Sequence, residues 1–588
     1  MLYPLSYGGN GVTHYQPRAA APHMDVRTGT QGRTRLGRVT PEQLAAALRA
    51  VLTEAVAAGD LDVEVPAPGT LRVERPKNRE HGDWTCNVAL QLAKGAGMPP
   101  RALAEVVAVR LRGVEGVGEV EVAGPGFLNI RLDAASAGEL ARSIVEAGSG
   151  FGTNDTLAGH VVNLEFVSAN PTGPPHIGHT RWAALGDALA RLLRASGADV
   201  TTEHYINDFG GQMDKFAASI LARATGGEIP EGGYPGEYVT ELAEQLRADH
   251  PELLGRPSAE VLPEVRELGY TLMLERIRAI LGEFNVRFDV WTKESRLHDE
   301  GKVGEAVERL RAQGHVFDEG GAVWLRTTDF GDDKDRVLVR ANGEPTYFAA
   351  DAAYYLDKKD RGFVEKIYML GADHHGYVGR LKAIAACAGD DPERNIEVLI
   401  GQLINIRGER MGKRRGNAIF LSDLLEWIGT DPVRYSLARF PADTPLDLDG
   451  DELRRRSNDN PVFYVQYAHA RTCNVARLAG EDGVHRADGF DPSLLVHETE
   501  ATLLATLGDF PRVVAQAATL REPHRVARYL EELAGHFHKW YDECRVRPTH
   551  ADEEITDLHR SRLWLNDATR QVLANGLDLL GVSAPSRM

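Results

Sequence analysis

VVNLEFVSANPTGPPHIGHTRWAALGDALARLLRASG, Val161–Gly197, decides the architecture of this chain. Val161–Ser168 is a short apolar run with β-branched residues, the composition of a strand buried on both faces of a parallel sheet. A proline-rich turn, ANPTGPP, follows. Arg181–Ser196 then carries Trp182, Leu185, Leu189, Leu192 and Leu193 at helical spacing, and Gly197 is placed to end the helix. Within the turn, PPHIGHTR (Pro174–Arg181) sets His176 and His179 at or just before the helix N-terminus, where free N–H groups and the macrodipole favour an anion. Gly178 between them leaves room for a flat ring against the backbone. Taken alone, two surface histidines capping an ordinary helix account for the pattern equally well.

Working outward, a chain of 588 residues is long for one core, so three or more domains are expected. Residues 1–38 are Gly, Pro, Thr and Gln-rich with five arginines against a single acid, Asp25, and read as a flexible tail. Order is expected from Thr40-Pro41-Glu42-Gln43, a capping-box pattern with proline at the first helical position. From 39 to 145, helix-like runs (Leu44–Ala58, Ala102–Arg112) alternate with strand-like ones (Thr70–Val73, Glu119–Val122, Phe127–Leu132), predicting a compact α+β domain. The following stretch ends in Gly, Ser, Asn and Asp, as a linker would. A nucleotide-binding α/β domain is expected over 146–440, interrupted by a helical insertion from about 208 to about 300. From 441 to 588 strand signals disappear, Pro461 marks a first turn after Asp459-Asn460, and an all-α helical bundle is the simplest packing solution.

Two further polar clusters join the histidines. GADHHGYVGRLKA, Gly371–Ala383, follows the apolar strand IYML, as ligand sites do at the carboxyl ends of open α/β sheets. GERMGKRRGN, Gly408–Asn417, is dense in cations. It fails as a Walker A loop, because Gly408 and Gly412 enclose three residues where four are required and Arg414 follows Lys413. What remains is a basic loop that closes over a polyphosphate, or a solvated charge run.

These segments together resemble the arginyl-tRNA synthetases of class I. PPHIGH matches the family's HIGH motif, and RMGKR, Arg410–Arg414, its KMSKS loop. The likeness extends through EFVSANPTGP, NDFGGQM, TYFAAD, GADHHGY, DNPVFYVQYAHAR and the terminal LLGVSAPSRM, nearly the whole chain after about residue 40. Arg410 stands for the loop's first lysine and Gly412 for its serine. Lys413 matches the second lysine, and the stretch ahead of HIGH carries no substitute for it.

The resemblance implies a multidomain fold: an α/β Rossmann-like catalytic domain with a helical insertion, an N-terminal α+β domain touching the tRNA elbow, and a C-terminal helical bundle reading the anticodon. It implies that an arginine carboxylate attacks the α-phosphate of ATP, pyrophosphate leaves, and the adenylate esterifies the 3′ end of tRNA(Arg), with tRNA needed before activation. Such a reaction asks for positioning and cations rather than a protein nucleophile. His176, His179 and Lys413 are implied as catalytic. ATP would be held by those three with Gly178, Gly371, Asp373, His374, Arg410 and Met411, bringing Mg2+ and no zinc. Arginine would be held by Glu165, Asn170, Tyr347, Asp351 and His375, with His374 as the alternative to His375. The guanidinium, planar with five donors, suits a carboxylate fork. Tyr347 and Asp351, four apart, share a face if helical; a helix salt bridge from Asp351 to Lys358 or Arg361 is the bland alternative. For tRNA the candidates are Trp84 and Asn87 in HGDWTCNVAL, and Tyr464, Tyr467 and Arg471 in the bundle, as base stackers and readers. Each of these could equally be structural.

Composition agrees. With 43% hydrophobic and 26% charged residues the chain reads as soluble and globular, and no apolar run or leader-like segment argues for a membrane or for export, so a cytoplasmic setting is expected. A monomer is the expected state, although neither composition nor pattern reads out oligomeric state. Four widely spaced cysteines suggest neither zinc nor disulfides. The net charge of -18 argues against a general nucleic-acid coat, though a basic groove can be local. A binding protein without activity would have eroded His176, His179 and Lys413; a nucleotidyltransferase would not need two flanking domains. A glutamate, glutamine or cysteine synthetase is disfavoured by Asp351 or by the missing zinc ligands.

Overall fold

The computed structural model describes residues 41–76, 81–408, 419–550 and 552–588, apart from the side chains of Pro41, Glu42, Asp373 and His375. The expected tail, and Arg410, Met411 and Lys413 of the basic loop, lie outside the described residues. Among the described residues no helix is long and apolar enough to cross a membrane.

The N-terminal domain is α+β. Helix α1 (Pro41–Ala57) begins at the expected proline and packs with α2 (Val88–Ala96) and α3 (Pro100–Leu111) on an antiparallel sheet. That sheet is ordered β1 (Val73–Glu74), β2 (Trp84–Cys86), β4 (Phe127–Leu132), β3 (Val117–Ala123). The stretch expected to be a linker is instead mostly helix, α4 (Ala134–Ala147), capped by the Asp133 carboxylate accepting from Ser136 N. Its Leu140, Ala141, Ile144 and Val145 join the core shared with the C-terminal bundle. Only the Gly, Ser, Asn and Asp that close the segment read as a connection; the apolar residues before them are spent on a packed helix.

The catalytic domain is built on a five-stranded parallel sheet with the order β12 (Ile396–Gly401), β11 (Glu365–Gly371), β5 (Val161–Glu165), β6 (Asp199–Ile206), β7 (Val290–Lys293). Chain order reverses between β5 and β11, so a crevice opens at their carboxyl ends, where such sheets take their ligands. Helix α5 (Ile177–Ala195) returns across β5. It comes close because Gly186 faces Phe166: a Cβ at 186 would lie 2.3 Å from the ring. The expected insertion supplies α6 (Gly211–Thr225), α7 (Glu237–Asp249) and α8 (Ser258–Glu283). Helix ends earlier than expected, because Val290–Lys293 pairs in register with Glu203–Ile206 as the sheet's edge. Beyond it lie α9 (Glu294–Asp299), α10 (Lys302–Ala312), a small antiparallel sheet of β8 (Val316–Glu319), β9 (Ala322–Leu325) and β10 (Arg336–Val339), then α11 (Tyr347–Asp360). After β11 come a 3-10 turn (Ala372–Tyr377) and α12 (Val378–Cys387).

Strand β13 (Ile404–Arg407) leads to the basic loop and pairs in parallel with β14 (Leu446–Asp449). Between them lie α13 (Leu421–Trp427) and α14 (Thr430–Ala438), and α15 (Gly450–Leu453) follows. The C-terminal domain is helical from Pro461: α16 (Pro461–Glu481), α17 (Glu498–Gly508), α18 (Phe510–Thr519), α19 (His524–Glu543) and α20 (Asp557–Leu579). It begins later than the expected 441, because Leu446–Asp449 is spent on β14, which takes the open edge of β13. Pro461 occupies the first turn of α16 after the Asn460 cap.

Candidate functional site

The crevice is lined first by the end of β5. Val167 and Ser168, with φ of 70° and 37°, adopt the left-handed region that costs a non-glycine residue on the order of 1–3 kcal/mol. The bend turns Ser168 back so that its hydroxyl donates to Glu165 Oε1 at 2.8 Å while its Oγ accepts from Tyr205 N at 3.2 Å. Such strain persists where surrounding contacts over-determine it, as they do here.

Next comes the histidine turn. His176 is the N-cap of α5: its Nδ1 accepts from Gly178 N at 3.1 Å, and His179 Nδ1 accepts from His176 N at 3.4 Å. The rings stack with centroids 3.9 Å apart. A side chain at 178 is excluded, since its Cβ would stand 2.9 Å from His176 Cε1. The expectation that bare N–H groups of this turn face an anion needs correcting, because these N–H groups have acceptors already. The consequence is chemical: with both Nδ1 atoms accepting, each neutral ring carries its proton on Nε2 and presents an Nε2–H donor.

The basic loop returns to this same turn. His176 and Phe420 form an antiparallel bridge, Ile177 N donates to Ile419 O at 2.9 Å, and Leu421 N donates to Pro175 O at 2.8 Å. At the other side, buried Arg181 donates to the carbonyls of Gln402 at 2.9 Å and Pro441 at 2.8 Å, fixing the approach to β13. The loop's exit is therefore bonded directly to the histidine turn, although the loop itself lies outside the described residues.

Across the switch point stands a cluster of acids. Asp351, on the first turns of α11 with Tyr347, accepts a short hydrogen bond from Tyr377 OH. The bland alternative for it fails: Lys358 pairs with Glu165 at 2.6 Å and Arg361 with Glu203 at 2.9 Å. Burial pushes the Asp351 carboxyl up to about 6, with Tyr377 and Arg380 pulling it back and Glu165 adding to the rise. Glu294, buried at the start of α9, is pushed up to about 7 by burial, against the Tyr205 hydroxyl and reinforced by Asp351 and Asp208. Asp208 is fixed by Ser295, whose N and Oγ donate at 2.9 and 2.7 Å. Among the described residues Asp351, Glu294 and Asp208 have no lysine or arginine within ion-pair distance. Three neighbouring acids with no direct lysine or arginine pair, only Arg380 acting on Asp351 from farther off and His298 3.9 Å from Glu294, suit a cationic ligand.

Glu294, Asp208, Tyr205 and Tyr377 were not singled out from sequence. The first two belong to segments read as helical insertion, and the signal that finds them is burial of a carboxylate with no lysine or arginine paired to it. Tyr347 is 65% exposed at the rim, near Gly210. Asn170 donates to Gln212 Oε1 at 2.8 Å. Gly371 ends β11 in register with Gly401, and Asp373, His374 and His375 occupy the 3-10 turn after it.

The expected nucleic-acid contacts divide. Trp84 is 4% exposed in the N-terminal core, with the Arg75 guanidinium 3.9 Å above its ring, so it cannot stack on a base. Arg75 in turn donates to Asp509 and Ala505 O of the bundle, making Trp84 part of a domain junction. Asn87 is exposed, its Oδ1 accepting from Gln91. In the bundle Arg471 donates to Tyr467 OH at 2.7 Å and lies 4.9 Å from the Tyr541 ring, and His538 packs beside Tyr464 and Tyr467. This half-exposed aromatic and cationic surface gains His538 and Tyr541, which reside on α19 and were not legible from α16 alone.

Three family models match the chain in succession: an arginyl tRNA synthetase N terminal domain over 42–132, a class I (R) tRNA synthetase catalytic domain over 147–227 and 263–431, and a DALR anticodon binding domain over 465–588. The gap in the catalytic match falls within the helices of the insertion. Arginine–tRNA ligase of Paenarthrobacter aurescens is 64% identical over 551 residues, covering 94% of this chain and 100% of that one. The Micrococcus luteus ligase of the same name is 63% identical over 555 residues, covering 93% and 100%. The solved Thermus thermophilus arginyl-tRNA synthetase superposes with a TM-score of 0.70 at 25% identity, covering 93% and 100%.

Proposed function

The chain belongs to the arginyl-tRNA synthetases of class I, and from that premise we propose how its own side chains carry out the reaction. It is an ATP-dependent ligase that activates L-arginine and charges tRNA(Arg). The observation that carries our assignment of roles is the acid cluster at the β5/β11 crevice, which among the described residues has no lysine or arginine within ion-pair distance.

Asp351 and Glu294 receive the guanidinium, with Tyr377 and Tyr205 fixing their carboxylates, Asp208 adding negative potential, and Tyr347 covering the mouth. Glu165, Asn170 and His375 hold the amino-acid end. His176 and His179 donate through Nε2–H to ATP phosphates, and Gly178 admits the purine. Gly371, Asp373 and His374 close the nucleotide site from the β11 side, with Arg410 and Met411 from the loop. Lys413 neutralises charge developing on the leaving pyrophosphate. Mg2+ enters with ATP and screens its phosphates. The histidine turn presents ring N–H donors, because both Nδ1 atoms already accept from backbone amides, and such donors suit phosphate oxygens. Among the described residues no group of three or more His, Cys, Asp or Glu is placed to hold a metal ion. Asn87 and the Tyr464, Tyr467 and Arg471 surface contact tRNA, the enzyme acting as a cytoplasmic monomer. Because a site built for a polar substrate rejects analogues lacking its donors by roughly 10⁴–10⁵, no editing domain is needed.

ATP–pyrophosphate exchange with each of the twenty amino acids, with and without total tRNA, tests this. Exchange with arginine alone and only in the presence of tRNA is expected; equal exchange with lysine would remove the guanidinium fork from the assignment.

A pH dependence follows from the two raised carboxyls. The guanidinium pairs with carboxylates, so binding must expel the protons they hold in the empty pocket. Arginine KM should therefore be flat above about pH 7.5 and rise as pH falls through about 7 and then about 6, by on the order of 10²-fold down to about pH 5.5. Calorimetry in two buffers of different ionisation enthalpy should show proton release on arginine binding near pH 6.5. Proton uptake, or a KM independent of pH in this range, would contradict it.

A further inference from the structure

Lys358 is one of the largest fully buried side chains of the protein, a lysine with 0% exposure on α11 behind the acid pocket. Its Nζ donates to Glu165 Oε2 at 2.6 Å and lies 3.9 Å from the centre of the Tyr368 ring and 4.3 Å from that of Tyr354. Glu165 thus has its second oxygen on a lysine and its first on Ser168. The other buried acids behind the pocket are matched in the same way. Glu203 meets Arg361, and also Thr292 and Asn163, while Asp357 meets Arg296, Lys302 and Arg361. Neutrality ends where the cation pocket begins, with Asp351, Glu294 and Asp208.

A carboxylate can be held by a lysine simply to make burial tolerable, and such a pair is weak evidence for stability. Its position says more. Glu165 is close enough to Asp351 to disfavour the Asp351 carboxylate even as the pair stands. Without Lys358 it would do so unopposed, at low dielectric.

Resting on the assignment of this pocket to arginine, we propose that Lys358 is a positioning residue for substrate recognition. It cancels the charge of Glu165 and pins its carboxylate, so that the negative charge left in the pocket is confined to the acids that meet the guanidinium. The groups that act on Asp351 are Glu165 on β5, Tyr205 on β6, Glu294 on α9, Tyr368 on β11, and Tyr377 and Arg380 at the start of α12. Of these, Glu165 is the acid whose compensation depends on Lys358 by direct contact.

The test is the pH profile of arginine KM in tRNA-dependent pyrophosphate exchange, measured on the full chain for wild type, Lys358→Met, Glu165→Gln and the double variant. Methionine preserves volume and removes the charge. Lys358→Met is expected to move the Asp351 step of the acid limb up by about one pH unit, raising arginine KM about twofold at pH 7 and nearly tenfold at about pH 5.5, leaving ATP KM unchanged. Glu165→Gln removes the negative charge instead and should move the limb down. The double variant should return the limb to its wild-type position, whatever its KM. If Lys358→Met does not fold, the opposite displacement in Glu165→Gln and the restored limb of the double variant still decide the matter. An unmoved limb in the single variants, or a double variant that keeps a displaced one, overturns the proposal. Asp351→Asn separates the two claims: if it leaves arginine KM intact the pocket itself is misassigned, whereas if it abolishes recognition and the Lys358 limb stays put, only the role of Lys358 falls.

Discussion

Asp351→Asn is expected to lower kcat/KM for arginine by on the order of 10³-fold while ATP KM stays within about twofold. Asparagine keeps the shape of the side chain and can still accept from Tyr377 OH, so the packing of α11 against α12 is undisturbed. What it removes is charge in a site where the guanidinium has given up its water. Truncating one partner of a buried charged pair costs about 2–5 kcal/mol, because the other partner is left without compensation. Glu294 and Asp208 moderate the loss, and Tyr347 at the rim does not replace it. The loss should reside mainly in arginine binding, so a kcat/KM within threefold of wild type in pyrophosphate exchange would remove Asp351 from recognition.

Lys413→Ala should slow adenylate formation by on the order of 10²-fold or more with arginine KM little changed, as removal of a single transition-state donor does. The residue lies outside the described residues, and the case rests on how the chain is tied around it. Ile419 is six positions after Lys413, a reach of at most about 22 Å. Ile419 O is bonded to Ile177 N within the histidine turn. On the proposed roles, an ammonium on such a tether stays within reach of a nucleotide held at the histidine turn. Single-turnover measurement of adenylate formation separates this from product release, and a near-normal rate would exclude the role. Lys413→Arg, which keeps the charge, should recover part of the rate if charge is what matters.

How far such roles were legible follows from how local their cause is. The β5–turn–α5 unit, the proline that opens α16 and the shared face of Tyr347 and Asp351 depend on residues within a few positions of one another, and periodicity exposes them. The insertion was legible as helix but its limits were not. Val290–Lys293 is a strand because β6 offers it an edge to pair with, and Glu294 then turns into the crevice. The supposed linker over 134–147 has the amphipathic spacing of a helix, yet its place against the bundle depends on partners hundreds of residues away. Trp84 shows the converse error: an aromatic within a polar segment looks like a base stacker until Arg75 and the sheet are seen to cover it.

From its order of residues alone the chain determined a parallel sheet with a histidine turn after its first strand, a C-terminal helical bundle, and which family it resembles. Those properties arise from short-range patterns, and a pattern of turn, period and cap is written where it acts. Tertiary structure alone decided that Lys358 is paired with Glu165 across 193 positions, that Glu294 and Asp208 face Asp351, and that Phe420 is bridged to His176. The physical reason is that charge and solvation are properties of a place in space. A carboxylate's affinity for its proton, and hence for a guanidinium, depends on what surrounds it once water is gone, and those surroundings arrive from every part of the chain.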